Sequence, residues 1–506
     1  MWRREFLAAL GCAGGVVRGL RAANDLSPLA IQSGDVTPGR AMVWARSAVP
    51  SKMNVQWSTG KNRKTHFVRG QALTAATDFT GRVELSGLPA GQMIRYEVHL
   101  EAENGKAAVA PLSGQFRTTP GAGSDVRFLW SGDMVGQGWG INPGDGGVRI
   151  FDTMRKLEPH FFLHSGDTIY ADGPVPVEVS REGRKIWSNI VTPEKSKVAE
   201  SLDEFRGCYR YNLLDENVRR FCAEVPQIWQ WDDHELANNW SPSKDLSNDD
   251  RYKEKRIPVL VDRARQAFLE YAPMRLSGQR IYRRIPYGPL LDVFMLDMRS
   301  YRGPNTYNRQ TETSPETAFL GSRQLDWLLK DLRSSKAVWK VIAADMPLGL
   351  LVKDGKDAQG RDVFENSANG NGPALGRELE IASLLSGIKR AGVRNTVWFT
   401  ADVHYTAAHY FDPAKARYTD FLPFWEFVSG PLNAGTSPAG VLDDTFGPTV
   451  IFEKSSPRGR FGLGPPDGLQ FFGDVRIEAK TKAMEVVLRD MAGTALFKKT
   501  LAPEPV

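Results

Sequence analysis

Four short apolar runs in this sequence stop at clusters that end in Asp, or in Asp with His or Tyr close behind. They read Trp130-Ser131-Gly132-Asp133, His164-Ser165-Gly166-Asp167-Thr168-Ile169-Tyr170, Trp231-Asp232-Asp233-His234-Glu235 and Thr400-Ala401-Asp402-Val403-His404-Tyr405. In an open α/β sheet the loops that leave the strand ends converge on one crevice, and ligands gather there. One Gly-Asp after a strand is an ordinary turn. Four such endings are much harder to assign to turns, and point to a sheet that gathers the carboxylates. Asp133, Asp167, Asp233 and Asp402 offer hard oxygen ligands, His404 offers nitrogen and Tyr170 a phenolate. So many carboxylates in one place cannot all ionise without cations between them. Two cations about 3.5–4 Å apart would clamp a phosphoryl group and activate water.

From about residue 125 onward, strands alternate with helices. Apolar runs lie at 126–130, 161–163, 228–231, 293–296, 338–344 and 396–400, and helical periodicity covers 148–157, 260–271, 323–332 and 377–390. This predicts a mixed α/β core with covering helices. Residues 25–120 differ: short alternating runs at 41–45, 54–58, 81–85 and 95–100 are separated by Gly/Pro turns. They resemble a small fibronectin III-like β-sandwich, and Gly121-Ala122-Gly123-Ser124 reads as a linker to residues 125–506.

The chain is 506 residues long, enough for two or three domains. Its formal charge is +6, but residues 1–24 carry Arg3, Arg4, Arg18 and Arg21 against Glu5, leaving 61 bases against 58 acids in the rest. That balance gives no footing for a nucleic-acid-binding domain. No stretch reaches 18 uncharged apolar residues, so no transmembrane helix is expected in the mature chain. The pair Arg3-Arg4 followed by Glu5-Phe6-Leu7 resembles a twin-arginine export signal. This implies the twin-arginine machinery as a partner and a periplasmic or secreted location. The cleavage point is open, as is lipidation at Cys12. Cys208 and Cys222 could pair in an oxidising compartment or stand as buried thiols.

At these motifs the chain resembles the calcineurin-like metallophosphoesterases, and more narrowly the PhoD-like alkaline phosphatases and phosphodiesterases. The resemblance rests on Ser165 to Asp172, on Trp231 to Glu235 with Asn238-Asn239 behind, on Leu296-Asp297-Met298-Arg299-Ser300-Tyr301-Arg302, and on Ala401 to Tyr405. It implies a four-layer α+β sandwich of two mixed sheets flanked by helices. It also implies that Asp167 bridges the metals, Asp133, Tyr170 and His404 bind the first, expected to be Fe3+, and Asp233 and Asp402 bind the second, expected to be Ca2+. His234 would contact the phosphoryl oxygens and protonate the leaving group. Arg299 and Asn238 would bind substrate, Arg299 as a bidentate phosphate holder or else as an ion-paired structural arginine. Family members usually carry Cys where this chain has Asp133, which leaves Mn2+, Zn2+ and Mg2+ open. His164 reads as a packed core histidine, and His409 has no partner in the sequence.

The implied activity is hydrolysis of phosphate monoesters, with diesters as further small phosphoester substrates, by a metal-bound hydroxide at a dinuclear or multinuclear site, in a monomer. Two alternatives stand beside it: a dedicated phosphodiesterase of phospholipase D-like type, and a non-catalytic metal-binding surface protein.

Overall fold

The computed structural model describes residues 28–505 apart from 61–63, 103–104, 106 and 122. The export leader expected at 1–24, with Cys12, lies outside the described residues. Seven strands come first: β1 (Ala30–Thr37), β2 (Arg40–Arg46), β3 (Ser51–Thr59), β4 (His66–Leu73), β5 (Thr80–Ser86), β6 (Met93–Glu101) and β7 (Leu112–Arg117). Strands β4-β3-β6-β7 form an antiparallel sheet. Its inward Met53, Val55, Trp57 and Val98 share one core with Val43, Ala45 and Val83 of β2 and β5, as period-two alternation requires.

The chain then alternates. It runs through β8 (Val126–Ser131), α1 (Ile150–Arg155), β9 (Phe161–Ser165), the hairpin β10 (Glu178–Arg181) and β11 (Arg184–Ser188), α2 (Leu202–Asn212), α3 (Glu216–Glu224), β12 (Gln227–Gln230), α4 (Ile257–Tyr271), β13 (Arg283–Pro286), β14 (Leu291–Met295) and α5 (Ser322–Ser334). It continues with β15 (Trp339–Ala343), the hairpin β16 (Lys353–Lys356) and β17 (Asp362–Phe364), α6 (Glu378–Arg390), β18 (Thr396–Thr400), β19 (Thr406–Phe411), β20 (Phe424–Val428) and β21 (Pro448–Lys454). Strands β22 (Phe471–Ile477), β23 (Met484–Asp490) and β24 (Ala495–Leu501) close it. Helix α2 starts on a capping box between Ser201 and Glu204, and α3 on the Asp215 carboxylate, which accepts from the Val218 amide.

Two large sheets result, in the orders β24-β23-β22-β8-β9-β12-β1-β2-β5 and β13-β14-β15-β18-β20-β19-β21. Phe128, Trp130 and Val475 of the first pack against Val293, Val341 and Phe399 of the second. The outer face of the second sheet is covered by α5 and α6 through Leu328, Leu332, Leu384 and Leu385. The outer face of the first is covered by α1 to α4. This is the expected four-layer arrangement. Strands β1, β2 and β5 extend the nine-stranded sheet, because β1 pairs in parallel with β12 at Gly34 and Gln227. The sheet therefore runs through the boundary placed near residue 120. Among the described residues no helix is long and apolar enough to cross a membrane.

The layering places the site. Strands β8, β9 and β12 are parallel neighbours, so the Asp-bearing loops after them leave at one edge. The Trp130 indole N–H donates to the Thr400 carbonyl at 3.2 Å, which locks the end of β8 to the end of β18 in the facing sheet.

Candidate metal centre

Asp133, Asp167, Asp402 and His404 all sit just past strand ends with φ of 61°, 52°, 66° and 60°. Non-glycine residues seldom adopt this left-handed region, and strain of this kind persists where surrounding contacts over-determine the backbone. Here the Met134 amide donates to the Asp167 carbonyl (3.0 Å) and the Leu432 amide to the Asp133 carbonyl (3.1 Å). Gly430 makes room for the first carboxylate: a Cβ there would fall 2.0 Å from Asp133 Oδ2.

The folded chain brings the expected ligands together. Ligand atoms of Asp133, Asp167 and His404 lie within 4.8 Å of one another, as do those of Asp167, Asp233 and His234, and those of Asp232, Asp233 and Asp402. Asp167 belongs to the first two groups and Asp233 to the last two. Tyr170 joins the first, its Oη 3.0 Å from His404 Nε2. All are buried except Asp402, which is half-buried. Both oxygens of Asp133, Oδ2 of Asp167 and Oδ1 of Asp233 have no hydrogen-bond partner. Buried carboxylate oxygens left bare are costly, and a set of hard oxygens converging with one imidazole fits cations.

The electrostatics agree. Burial pushes Asp133, Asp167 and Asp402 well above the usual carboxylate range. At Asp233 burial acts the same way, but the charges of His234 and Arg299 and the amides of Asn239 and His234 together outweigh it, holding the carboxyl at about 2. Burial lowers His404 to about 4, so its ring is neutral. Its Nδ1 faces the Gly435 carbonyl and donates to it, leaving the Nε2 lone pair for the centre. His234 is the opposite case: burial would lower it, but Asp172 and Asp233 raise it well above the ordinary histidine value. Its Nδ1 lies 2.6 Å from Asp172 Oδ1, and its ring stacks on Tyr170 with centroids 4.2 Å apart.

Several supporting residues were not read from the sequence. Asp172 stands inside the Tyr170-Ala171-Asp172 motif, and its place next to Tyr170 was the available signal. Glu235 latches two loops, accepting from the amides of Asp167 (3.2 Å), Thr168 (2.6 Å) and Asp232 (2.7 Å). The buried Lys195 ammonium donates to the carbonyls of Tyr170 (2.8 Å) and Gly173 (3.0 Å). Asn238 is exposed at the rim and its amide donates to Asp172 Oδ2 at 2.7 Å, while the Asn239 amide donates to Asp233 Oδ2.

Arg299 requires a correction. It is fully buried and its guanidinium pairs with Asp232, Asp345 (3.3 Å) and Glu365. These three carboxylates need a counter-charge beneath the site, so Arg299 holds them and not a substrate phosphate. Its neighbour Arg302 is buried against Glu365 as well. His164 is packed between Phe162 and Trp229, and His409 has a partner after all, Glu426 at 2.9 Å. Cys208 and Cys222 are buried and unpaired.

Comparison with known proteins follows the same outline. The profile of the family described as PhoD-like phosphatase matches residues 128–488, and that of the PhoD-like phosphatase N-terminal domain matches residues 16–120. Alkaline phosphatase D of Bacillus subtilis (strain 168) is 24% identical over 486 residues, covering 88% of this chain and 78% of that protein. A solved structure of PhoD superposes with a TM-score of 0.66 at 18% identity, covering 94% of this chain and 89% of that one. The purple acid phosphatase PPD1 from yellow lupin seeds superposes with a TM-score of 0.55 at 13% identity, covering 94% and 74%.

Proposed function

Since the chain belongs to the PhoD-like phosphatase family, and is thereby a phosphoric ester hydrolase, we propose that it is an exported alkaline phosphatase that cleaves phosphate monoesters, and diesters besides, at a centre of two or more cations. The observation that carries this reading is the convergence of Asp133, Asp167, Asp233 and His404 with buried oxygens that nothing else satisfies.

In this reading Asp133, Asp167, Tyr170 and His404 hold one cation, and Asp167, Asp233 and Asp402 hold another. Fe3+ and Ca2+ are the favoured pair, with Mn2+, Zn2+ and Mg2+ left open by the carboxylate at Asp133. Such ions supply Lewis acidity and an activated water for in-line displacement. The chain's own groups do the rest. Asp172 holds the His234 imidazole by Nδ1, so that Nε2 faces the centre and delivers a proton to the departing alkoxide. In this reading the exposed Asn238 side chain at the rim contacts the ester, its backbone N–H being held by Asp172. Export rests on the Arg3-Arg4 leader, and the chain acts as a monomer.

Replacing Asp167 by Asn removes the bridging carboxylate. Metal content by elemental analysis should fall, and turnover of p-nitrophenyl phosphate should drop at least about 100-fold. Full turnover with full metal content in that variant overturns the reading. Comparing p-nitrophenyl phosphate with its bis ester sets the monoester against the diester preference.

A further inference from the structure

Away from this centre, three segments meet around two buried carboxyls that only neutral groups reach, Thr445 among them. The segments are the loop after β17, the first residue of α6 and the loop between β20 and β21. Glu378 Oε1, Asp443 Oδ1 and Asn369 Oδ1 all lack a hydrogen-bond partner, and their residues are 0%, 2% and 2% exposed. Their other polar atoms fix them in place. Asn369 Nδ2 donates to Glu378 Oε2 (2.7 Å), as does the Leu375 amide (3.2 Å), and the amides of Asn369 (3.2 Å) and Gly370 (3.3 Å) donate to Asp443 Oδ2. The two carboxyls are within hydrogen-bond reach of each other. No Lys, Arg or His among the described residues forms an ion pair with either.

Two adjacent buried carboxyls without a base have two remedies, a shared proton or a cation. A proton joins two oxygens and leaves Asn369 Oδ1 bare. A cation answers all three. We infer that Asn369, Glu378 and Asp443 form a second cation site, separate from the catalytic centre and sharing no residue with it. Carboxylate and amide oxygens in an irregular loop suit a hard ion of flexible coordination, with Ca2+ the best fit. Burial, and then the neighbouring Asp443, push Glu378 up to about 9, which is the state the ion would replace. The site ties the 366–376 loop to the 443–445 loop. Both adjoin the floor of the catalytic centre, since Glu365 pairs with Arg299 and the Asp443 amide donates to the Gly349 carbonyl at 3.0 Å. The ion's task is structural: binding only the folded state, it raises stability by mass action.

The test uses the full-length protein, stripped of metal and dialysed against Ca2+. Glu378→Gln is the deciding variant, because its amide can bond Asp443 as a protonated carboxyl would. The inference expects Glu378→Gln to bind one Ca2+ equivalent fewer than wild type, to lose most of the rise in Tm on adding Ca2+, and, as the unstripped enzyme, to keep wild-type turnover of p-nitrophenyl phosphate. An unchanged Ca2+ count and an unchanged Tm response mean that the pair holds a proton, and overturn the inference. If Glu378→Gln does not fold, Asn369→Ala is read in the same way, and an unaltered Ca2+ count in it is equally fatal. Because the readouts are Ca2+ stoichiometry and Tm, a failure of the phosphatase reading would leave this result standing, and the reverse holds too.

Discussion

Single residues at the centre divide into those that could hold cations and those that fix these candidates in place. Asp133, Asp167, Asp233, Asp402 and His404 were legible because each follows an apolar run, and strand ends are where an α/β sheet presents its chemistry. Asp172 and Glu235 were not assigned, although both lie within the same motifs, because their work depends on a loop from elsewhere in the chain folding over them. Arg299 was left between two roles for a related reason. An Arg near an Asp-rich motif suits a phosphate or a buried carboxylate equally, and only its complete burial against Asp232, Asp345 and Glu365 decides between them. Asp172 offers the cleanest check on the supporting layer. With Asn in its place, His234 loses the carboxylate that fixes its Nδ1 at 2.6 Å, while the candidate cation ligands remain. Steady-state kinetics on p-nitrophenyl phosphate should show kcat reduced about 10- to 100-fold with KM near the wild-type value. An unchanged kcat would mean that His234 needs no orienting partner.

At the scale of elements, the strands nearest the centre were the most legible. The run at 396–400 coincides with β18, and the helix expected over 260–271 is α4 (Ile257–Tyr271) begun one turn earlier. Helix α2 was missed because its buried face includes Arg206, Tyr209 and Asn212, which apolar periodicity does not see, and α3 because its apolar face is only Val218, Phe221 and Cys222 within nine residues. The join between the N-terminal strands and the catalytic sheet was also invisible, because it is made by main chain at one position. At Gly34 an added Cβ would fall 2.3 Å from the Pro273 carbonyl oxygen and 2.5 Å from that of Gln227, both backbone atoms that cannot step aside. Gly34→Val should therefore force β1 from β12 at a cost of about 3 kcal/mol, seen as a lower Tm in thermal unfolding. A Tm equal to wild type would show that the seam is looser than the packing implies.

For the molecule as a whole, that seam is reinforced by buried charge. Arg46 ends β2 and Asp78 lies in the turn before β5, while Arg210 comes from α2 and Tyr271 from α4. The Asp78 carboxylate accepts from Arg46 (3.0 Å), from Arg210 (2.8 Å) and from the Tyr271 hydroxyl. Next to it Arg206 pairs with Glu270 at 2.7 Å and donates to the Ala76 carbonyl, and Arg283 pairs with Asp35 at 2.8 Å. Burial works against the Asp78 charge, but Arg46, Tyr271 and Arg210 outweigh it and hold the carboxyl below its ordinary 3.8. A depressed carboxyl stabilises the fold above its unfolded pKa, and that stabilisation is lost as pH falls through the lower folded value. Asp78→Asn leaves Arg46 and Arg210 buried without their carboxylate, so at neutral pH it should cost about 3 kcal/mol. The gap to wild type should close in acid below the ordinary carboxylate range, where wild type loses the same contribution. Since sheet and ion pairs both cross from the N-terminal strands to the catalytic layers, denaturant unfolding should be a single transition that moves as one in Asp78→Asn. Two separated transitions, with only the earlier one shifted, would show instead that the N-terminal strands fold apart from the rest.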